Sequence, residues 1–270
     1  MEVMAKFGLI GNPISHSKSP SLFAAAYGGK CGSYELIEAD SCVSAMERFI
    51  DGEYRGINVT APYKEQVLEY VTDPDRASCE LGNANLLLKD ENHACNGRIY
   101  SYNTDYYGVK NTVKELLSGE YMTDAVVLPE IKRVTVVGAG GAGKAAALAM
   151  ADSGYKVCLV NRSPERAVAF ANKIGAEYVR LEDLAKAVEK SQLLIYSLSM
   201  PVNEMAGVDL SGKIVFEANY AAPNLSPSCG IRSLYYLRGE YWLYNQAVPA
   251  FELFTGCKPD IPAMKKIIGI

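Results

Sequence analysis

An α/β protein of two domains is what this sequence predicts, and three observations carry that expectation. Residues 133–162 run strand, glycine-rich turn, helix, strand, the order of a βαβ unit with a dinucleotide fingerprint. The residues before it already alternate short apolar runs with helical patterns, so another α/β domain precedes the fingerprint. A length of 270 residues also sits where a single core usually divides.

In the first part, residues 7–11 read as a strand, 21–27 as a helix, 34–37 as a strand and 45–50 as a helix. Residues 56–60 form a further strand closed by Pro62, and 63–71 carry a helical pattern. Residues 84–88 and 98–102 read as paired strands joined through 90–92 and Gly97. A helix over 106–117 links the domains, and 118–129 reads as a loop. Strands at 133–137, 156–160, 177–180, 193–198 and 213–217 then alternate with helices at 141–153, 164–174 and 181–191. That is the rhythm of a doubly wound, Rossmann-like sheet. From residue 240 the pattern is helical, with a kink expected at Pro249, and this tail is expected to return to the first domain and close a cleft.

The fingerprint gives each residue a physical job. The β-branched run 133–137 suits a strand buried on both faces. Gly138 permits the sharp turn, Gly140 lets the backbone approach a pyrophosphate, and Gly143 lets the helix pack close to the strand. The alanine-rich helix stops at Gly154 and points its N-terminal N–H groups at the phosphates. An NAD site normally ends the second strand with Asp or Glu, which accepts from the ribose hydroxyls and repels a 2′-phosphate. This chain has neutral Asn161, then Arg162, with Arg166 one helical turn on. Two guanidiniums pair well with a phosphate, so NADP is favoured; a solvated arginine at a strand end is the alternative.

Composition narrows the class of protein. Hydrophobic content of 49% and charged content of 21% are those of a globular chain able to bury a core. A net charge of −4 provides no general attraction to nucleic acid or anionic membrane, so any phosphate affinity must be local. Seven cysteines without a C-x-x-C pair suggest reduced thiols and a cytoplasmic setting. Glu2 and Lys6 interrupt the N-terminus before any signal-like run, and no stretch approaches the ~20 apolar residues of a membrane span. The only histidines are His16 and His93, and no Cys/His cluster has ligand spacing, so no metal is expected. Both monomer and homodimer remain open.

Polar clusters follow the strands of the first domain. The block Asn12-Pro-Ile-Ser15-His-Ser17-Lys-Ser-Pro20 offers hydroxyls and a coming helix N-terminus to an anion such as a carboxylate. The same residues also make a turn with an N-cap, and His16 within them reads as structural. Asn58-Val-Thr60-Ala-Pro-Tyr-Lys64 ends a strand at proline and puts a lysine just beyond; an isolated lysine there is otherwise a surface charge. Asn103-Thr-Asp105 precedes a helix, where Asp105 is a good N-cap whether or not it does chemistry.

These blocks, with Asn103-Thr-Asp105-Tyr-Tyr-Gly108, the fingerprint with Asn161-Arg162-Ser163, and Asn245-Gln246-Ala247 with Phe251-Glu252 and Thr255-Gly256, resemble shikimate dehydrogenase. They occur in that family's order and cover nearly the whole chain. The resemblance implies that Lys64 and Asp105 are the catalytic pair and that Ser15 and Ser17 hold the substrate carboxylate, with Tyr220 helping from the second domain. It assigns the ring hydroxyls to Thr60, Asn85 and Gln246. Gly140, Gly141, Ala142, Asn161, Arg162, Ser163 and Arg166 match NADP-binding positions, and Gly239 matches a glycine near the nicotinamide. The implied architecture is a substrate domain of residues 1–105, completed by helices in 240–270, and a Rossmann-like NADP domain of 106–239.

The implied activity is the NADP-dependent interconversion of 3-dehydroshikimate and shikimate, a step of aromatic amino-acid biosynthesis. Its alternatives are a quinate/shikimate dehydrogenase with relaxed choice of cofactor or substrate, and a non-catalytic dinucleotide or metabolite sensor. Ketone reduction needs a hydride and a proton as charge develops on oxygen, and a lysine ammonium beside a carboxylate suits the second task. Three departures stand out. Gly82-Asn-Ala-Asn85-Leu86 replaces the usual Gly-Ala-x-Asn-Thr, losing a hydroxyl expected near the substrate. Tyr196-Ser-Leu-Ser-Met-Pro201 replaces Asn-Ala-Thr-x-x-Gly near the cofactor, so nicotinamide placement is expected to differ. Glu217-Ala-Asn-Tyr220 keeps the tyrosine but changes the acidic residue type at its start.

Overall fold

A computed structural model describes residues 5–90, 97–121 and 126–270. The chain divides into two compact units, Met1–Thr104 with Gln246–Ile270, and Asp105–Asn245. The expected turn residues 91 and 92, and His93, lie outside the described residues.

The first unit contains β1 (Lys6–Gly11), α1 (Ser19–Tyr27), β2 (Ser33–Glu38), α2 (Cys42–Asp51), β3 (Tyr54–Val59), β4 (Asp73–Pro74), α3 (Arg76–Leu81), β5 (Leu86–Lys89) and β6 (Ile99–Tyr102). Its six-stranded sheet has the order β2-β1-β3-β5-β6-β4. Strands β2, β1 and β3 are parallel, whereas β5 is antiparallel to both β3 and β6. Helix α2 shows how local sequence sets packing. Ser41 caps it by accepting from Ser44 N–H, and Cys42, Ala45, Met46 and Phe49 recur at helical spacing as its buried face.

Helix α4 (Thr104–Leu117) carries the chain into the second unit. There follow β7 (Arg133–Val137), α5 (Gly141–Asp152), β8 (Lys156–Asn161), α6 (Pro164–Lys173), β9 (Glu177–Arg180), α7 (Leu184–Glu189), β10 (Leu193–Tyr196), β11 (Ile214–Glu217) and β12 (Tyr235–Leu237). The parallel sheet runs β12-β11-β10-β7-β8-β9. With β7 counted as first, this is the order 3-2-1-4-5-6 of a doubly wound dinucleotide fold, whose direction switches between β7 and β10. Strands β10 and β11 are buried at every position, which is why both read as unbroken apolar runs. Helix α5 lies close to the sheet, with Ala145, Ala146, Ala147, Leu148, Ala149 and Met150 all buried.

Helix α8 (Gly239–Thr255) contains Pro249 and returns the chain to the first unit, which α9 (Ile261–Ile268) completes. Phe254 stacks on Phe7 with centroids 4.9 Å apart, and Phe251 meets Phe23 edge-on at 5.1 Å. Gly56 makes room for this contact: a Cβ there would lie 2.7 Å from the Phe254 ring.

Several elements differ from the sequence reading. The helical pattern at 63–71 is only a 3₁₀ turn, Gln66–Tyr70, because Thr72 N–H already bonds Ile99 C=O at the sheet edge. The 181–191 pattern begins as a 3₁₀ turn and narrows to α7, and β10 stops at Tyr196. Three short elements, β4, α3 and β12, escaped the pattern; α3 is defined by its ends, with Asp75 accepting from Ser78 N–H at 2.7 Å and Gly82 left-handed at φ 64°. Asp105 is not an N-cap: helix α4 starts at Thr104, so Asp105 lies in its first turn. Among the described residues, no helix is long and apolar enough to cross a membrane.

Phe254 is fully buried. Phe254→Ala is expected to destabilise the first unit by about 3–5 kcal/mol, read from urea unfolding.

Candidate active site

The candidate substrate residues of the first unit gather at strand ends. Thr60 N–H donates to Ile10 C=O at 2.9 Å and Asn12 N–H to Ala61 C=O at 3.2 Å, which ties the serine block after β1 to the segment after β3. Ser15 and His16 are exposed, so His16 does not contribute to the core, and Ser17 is half-buried. Ser17 Oγ accepts from Ser19 N–H at 3.2 Å, a local turn bond, while Lys18, the residue preceding α1, makes no side-chain cap.

Lys64 is half-buried in the turn after β3, and its carbonyl accepts from Ala84 N–H at 2.9 Å. That bond places the lysine main chain beside the residue preceding Asn85. Asn85 is buried, and its Oδ1 accepts from Thr104 N–H at 2.6 Å. Its Nδ2 donates to Thr104 Oγ1 at 3.0 Å, and Thr104 Oγ1 donates to Gln246 Oε1 at 3.1 Å. Asp105, also buried, follows Thr104 directly. Asn85, Thr104 and Gln246 therefore share one hydrogen-bonded cluster, and the Lys64 main chain is bonded to the residue just before Asn85. Thr104 is a member that motif reading passed over, although it lies inside Asn103-Thr-Asp105. Leu86 is fully buried in β5, and the Asn85 amide takes its partners from Thr104 and Gln246. The lost hydroxyl at 86 thus falls in the core.

In the second unit the fingerprint turn sits at the switch point of the sheet. Gly138 has φ 103°, and a Cβ on it would lie 2.9 Å from Leu198 Cδ2. A Cβ on Gly143 would press into Gly138 O and lie 2.7 Å from Ser197 Oγ. A Cβ on Gly140, by contrast, would meet nothing within 4 Å, and α5 begins there without a side-chain cap. The open glycine and the uncapped N–H groups of Gly141, Ala142 and Gly143 suit a pyrophosphate. Asn161 Oδ1 accepts from Ala139 N–H at 3.3 Å and its Nδ2 donates to Ser163 C=O at 2.9 Å, joining the phosphate turn to the end of β8. Arg162 and Arg166 are exposed and Ser163 half-buried at the start of α6. No acidic residue occupies the ribose position, so these residues fit a 2′-phosphorylated dinucleotide.

The departing loop is packed. The Tyr196 side chain is fully buried, its hydroxyl donates to Met200 C=O at 2.7 Å, and burial pushes its pKa up to about 12. Ser197 donates to Val137 C=O through both N–H (3.0 Å) and Oγ (2.7 Å). Glu217 is fully buried and accepts four hydrogen bonds: Asn224 N–H at 2.5 Å, Asn224 Nδ2 at 3.1 Å, Leu225 N–H at 3.0 Å and the Tyr236 hydroxyl at 2.9 Å. Burial, then the Glu217 bond, pushes the Tyr236 phenol far up. Asn219 Nδ2 bonds Ser199 C=O at 3.2 Å and Ala222 C=O at 2.7 Å, and half-buried Tyr220 lies between these anchors. Gly239 is a contact glycine: a Cβ there would lie 2.5 Å from Ala218 O and 2.9 Å from Tyr220 N. Glu217 and Asn219 had no role in the sequence reading, since nothing in a four-residue motif states what its first residue bonds. Among the described residues, no group of three or more His, Cys, Asp or Glu could hold a metal ion.

A phosphate turn at the switch point of a doubly wound sheet, in one chain with the lysine and aspartate cluster, puts the protein among dinucleotide-dependent oxidoreductases. The family described as "Shikimate dehydrogenase substrate binding domain" matches residues 9–87, and "Shikimate / quinate 5-dehydrogenase" matches residues 126–206. The chain belongs to the shikimate dehydrogenase family. It is 34% identical to shikimate dehydrogenase (NADP(+)) of Halorubrum lacusprofundi over 97% of both chains. It is 29% identical to the chloroplastic bifunctional 3-dehydroquinate dehydratase/shikimate dehydrogenase of Arabidopsis thaliana, covering 97% of this chain but only 45% of that protein. Shikimate 5-dehydrogenase of Thermus thermophilus, solved in complex with NADP(H) and shikimate, is 26% identical, with a TM-score of 0.75 over 98% of this chain and 99% of that one.

The two glycines of the turn are expected to separate in their effects on folding. Gly143→Ala forces backbone apart and costs about 1–3 kcal/mol, whereas Gly140→Ala changes stability by less than about 0.5 kcal/mol, both read from denaturant melts.

Proposed function

We propose that this chain catalyses the reversible, NADP-dependent reduction of 3-dehydroshikimate to shikimate, a step in aromatic amino-acid biosynthesis. The observation that carries this reading is the hydrogen-bonded cluster of Asn85, Thr104 and Gln246, with the Lys64 main chain bonded to Ala84 beside it and Asp105 next in the chain. It supplies a cation, a carboxylate and neutral hydrogen-bonding groups at the end of one sheet, as a hydroxylated ring acid requires.

The roles follow from chemistry. When bound, the nicotinamide supplies the hydride. The Lys64 ammonium donates a proton to the carbonyl oxygen as negative charge develops there, and on the reverse path takes it back. Asp105 orients that ammonium and accepts from the adjacent ring hydroxyl. Ser15 and Ser17 hold the substrate carboxylate, with Tyr220 as a further donor; Thr60, Asn85 and Gln246 hold ring hydroxyls. Gly138, Gly140, Gly141, Ala142 and Gly143 take the pyrophosphate on backbone N–H groups. Asn161 shapes the adenosine end, Arg162, Ser163 and Arg166 pair with the 2′-phosphate, and Gly239 leaves room near the nicotinamide.

Every assigned residue comes from one chain, so a monomer is sufficient and a homodimer is compatible. A cytoplasmic setting is supported by the six free cysteines among the described residues. Quinate is the competing substrate, because the second matching family is described by both acids. Following NADP reduction with shikimate and with quinate decides between them: turnover of shikimate alone supports the reading, and turnover of neither overturns it.

Lys64→Ala is expected to lower kcat by about 10²–10⁴-fold while NADP affinity is retained. A variant that keeps most of its kcat removes lysine from the mechanism. Arg162→Ala is expected to weaken NADP much more than NAD in parallel titrations; equal losses would undo the 2′-phosphate argument.

A further inference from the structure

The neutral side chains of the first unit's cluster have a donor–acceptor polarity, and one main-chain group sets it. The Thr104 N–H can only donate, so the Asn85 atom 2.6 Å from it is the amide oxygen. The other arm of that amide is then a donor, and it gives a proton to Thr104 Oγ1 at 3.0 Å. The Thr104 hydroxyl has one proton of its own to give. Its nearer acceptor is Gln246 Oε1 at 3.1 Å; the other, Asn85 Oδ1 at 3.2 Å, already holds the short main-chain bond.

The consequence falls on Gln246. Its oxygen accepts from Thr104 Oγ1 and, at 3.4 Å, from Asn85 Nδ2. With the Gln246 amide turned round, its nitrogen would stand at that distance from Asn85 Nδ2, donor against donor, and the Thr104 proton would lose its nearer acceptor. The oxygen is therefore held by protein donors, and Nε2 with its two protons is the arm left for a ligand. Asn85 and Thr104 are buried while Gln246 is half-buried, so Gln246 is the member of the three that reaches solvent.

We propose that Thr104 is a positioning residue for the substrate site: its hydroxyl passes the polarity set by its own N–H to Gln246, and fixes that amide with its N–H groups rather than its oxygen toward a ring hydroxyl. This rests on the function proposed above, which assigns Gln246 to the ring hydroxyls. A hydroxyl that accepts from Nε2 keeps its own proton to donate to a carboxylate. Without the Thr104 hydroxyl the Gln246 oxygen loses its nearer donor, and the amide is free to turn.

The test is steady-state kinetics on Thr104→Val, Thr104→Ser, Gln246→Ala, Gln246→Glu and the double variant Thr104→Val with Gln246→Ala, alongside thermal melts and NADP titration. Thr104→Val keeps the branched shape and the main-chain N–H but not the hydroxyl. It is expected to raise KM for shikimate about tenfold, the size of one lost hydrogen bond, with much smaller changes in kcat and in NADP affinity. Thr104→Ser restores the hydroxyl and should bring KM back to within about threefold of wild type. The double variant should be no worse than Gln246→Ala alone, because Thr104 acts through Gln246. Gln246→Glu, which has no N–H to offer, should bind shikimate no better than Gln246→Ala. An unchanged KM in Thr104→Val, even with a lowered melting temperature, overturns the proposal, as does a KM that Thr104→Ser fails to recover or a multiplying effect in the double variant. A wild-type KM in Gln246→Glu means that the ligand meets an oxygen, and overturns it too. If Thr104→Val does not fold, the comparison of Gln246→Glu with Gln246→Ala decides alone. A wild-type chain that neither binds nor turns over shikimate overturns the functional reading itself, whereas an active wild type with an unaffected Thr104→Val overturns only the role of Thr104.

Discussion

One buried amide side chain, Asn85, sets where helix α4 begins. Its Oδ1 accepts from Thr104 N–H at 2.6 Å, so helix α4 is capped by a residue 19 positions away in sequence. The residue that would ordinarily cap the helix, Asn103, instead turns inward and donates to Asn83 Oδ1 at 2.7 Å and Asn83 C=O at 3.2 Å. A long-range cap fixes the start of the helix relative to the sheet rather than relative to the preceding loop. Asp105 is thereby held in the first turn, where a carboxylate interacts favourably with the N-terminal N–H groups. Losing the Asn85 hook would leave a buried N–H unpaired, at a cost of about 1–3 kcal/mol.

The second unit depends on close approach rather than on a polar hook. Ser197 fills the space beside Gly138 and Gly143 and returns both of its donors to Val137 C=O. The unusual loop that begins at Tyr196 therefore consolidates the phosphate turn: its tyrosine ring is in the core and its hydroxyl closes the loop on Met200. This departure from the family's pattern has a packing explanation. Glu217 acts in the same way on the next loop, where four donors on two buried oxygens hold the segment after Tyr220 against β12.

What could be read from the sequence follows from how far each determinant extends along the chain. Strands β7, β8, β10 and β11 were legible because burial on both faces writes a continuous apolar run, and the fingerprint because its glycines answer local steric demands at Gly138 and Gly143. Strand β12 and helix α3 were not, because three and six residues carry no period and their ends are set by partners elsewhere. The 3₁₀ turn at Gln66–Tyr70 reads as a longer helix since its apolar spacing is helical while the sheet edge takes up the chain at Thr72. Candidate residues in contiguous motifs were found; Thr104, Asn58 and Tyr34 were passed over as bonding partners, because a side chain's distant partner leaves no mark on local pattern.

The two units differ in how they would select what they bind, and the difference is physical. In the first, Asn85 and Thr104 are buried and neutral, and each is already committed to a protein partner. Groups so paired are held by bonds shielded from solvent, which salt does little to disturb. In the second, the residues proposed above to pair with the 2′-phosphate, Arg162 and Arg166, are exposed. Exposed charges are screened over a Debye length of about 8 Å at physiological ionic strength, so their preference weakens as salt rises. The polar groups of the first unit are thus fixed by its packing, while the two arginines of the second lie at its surface.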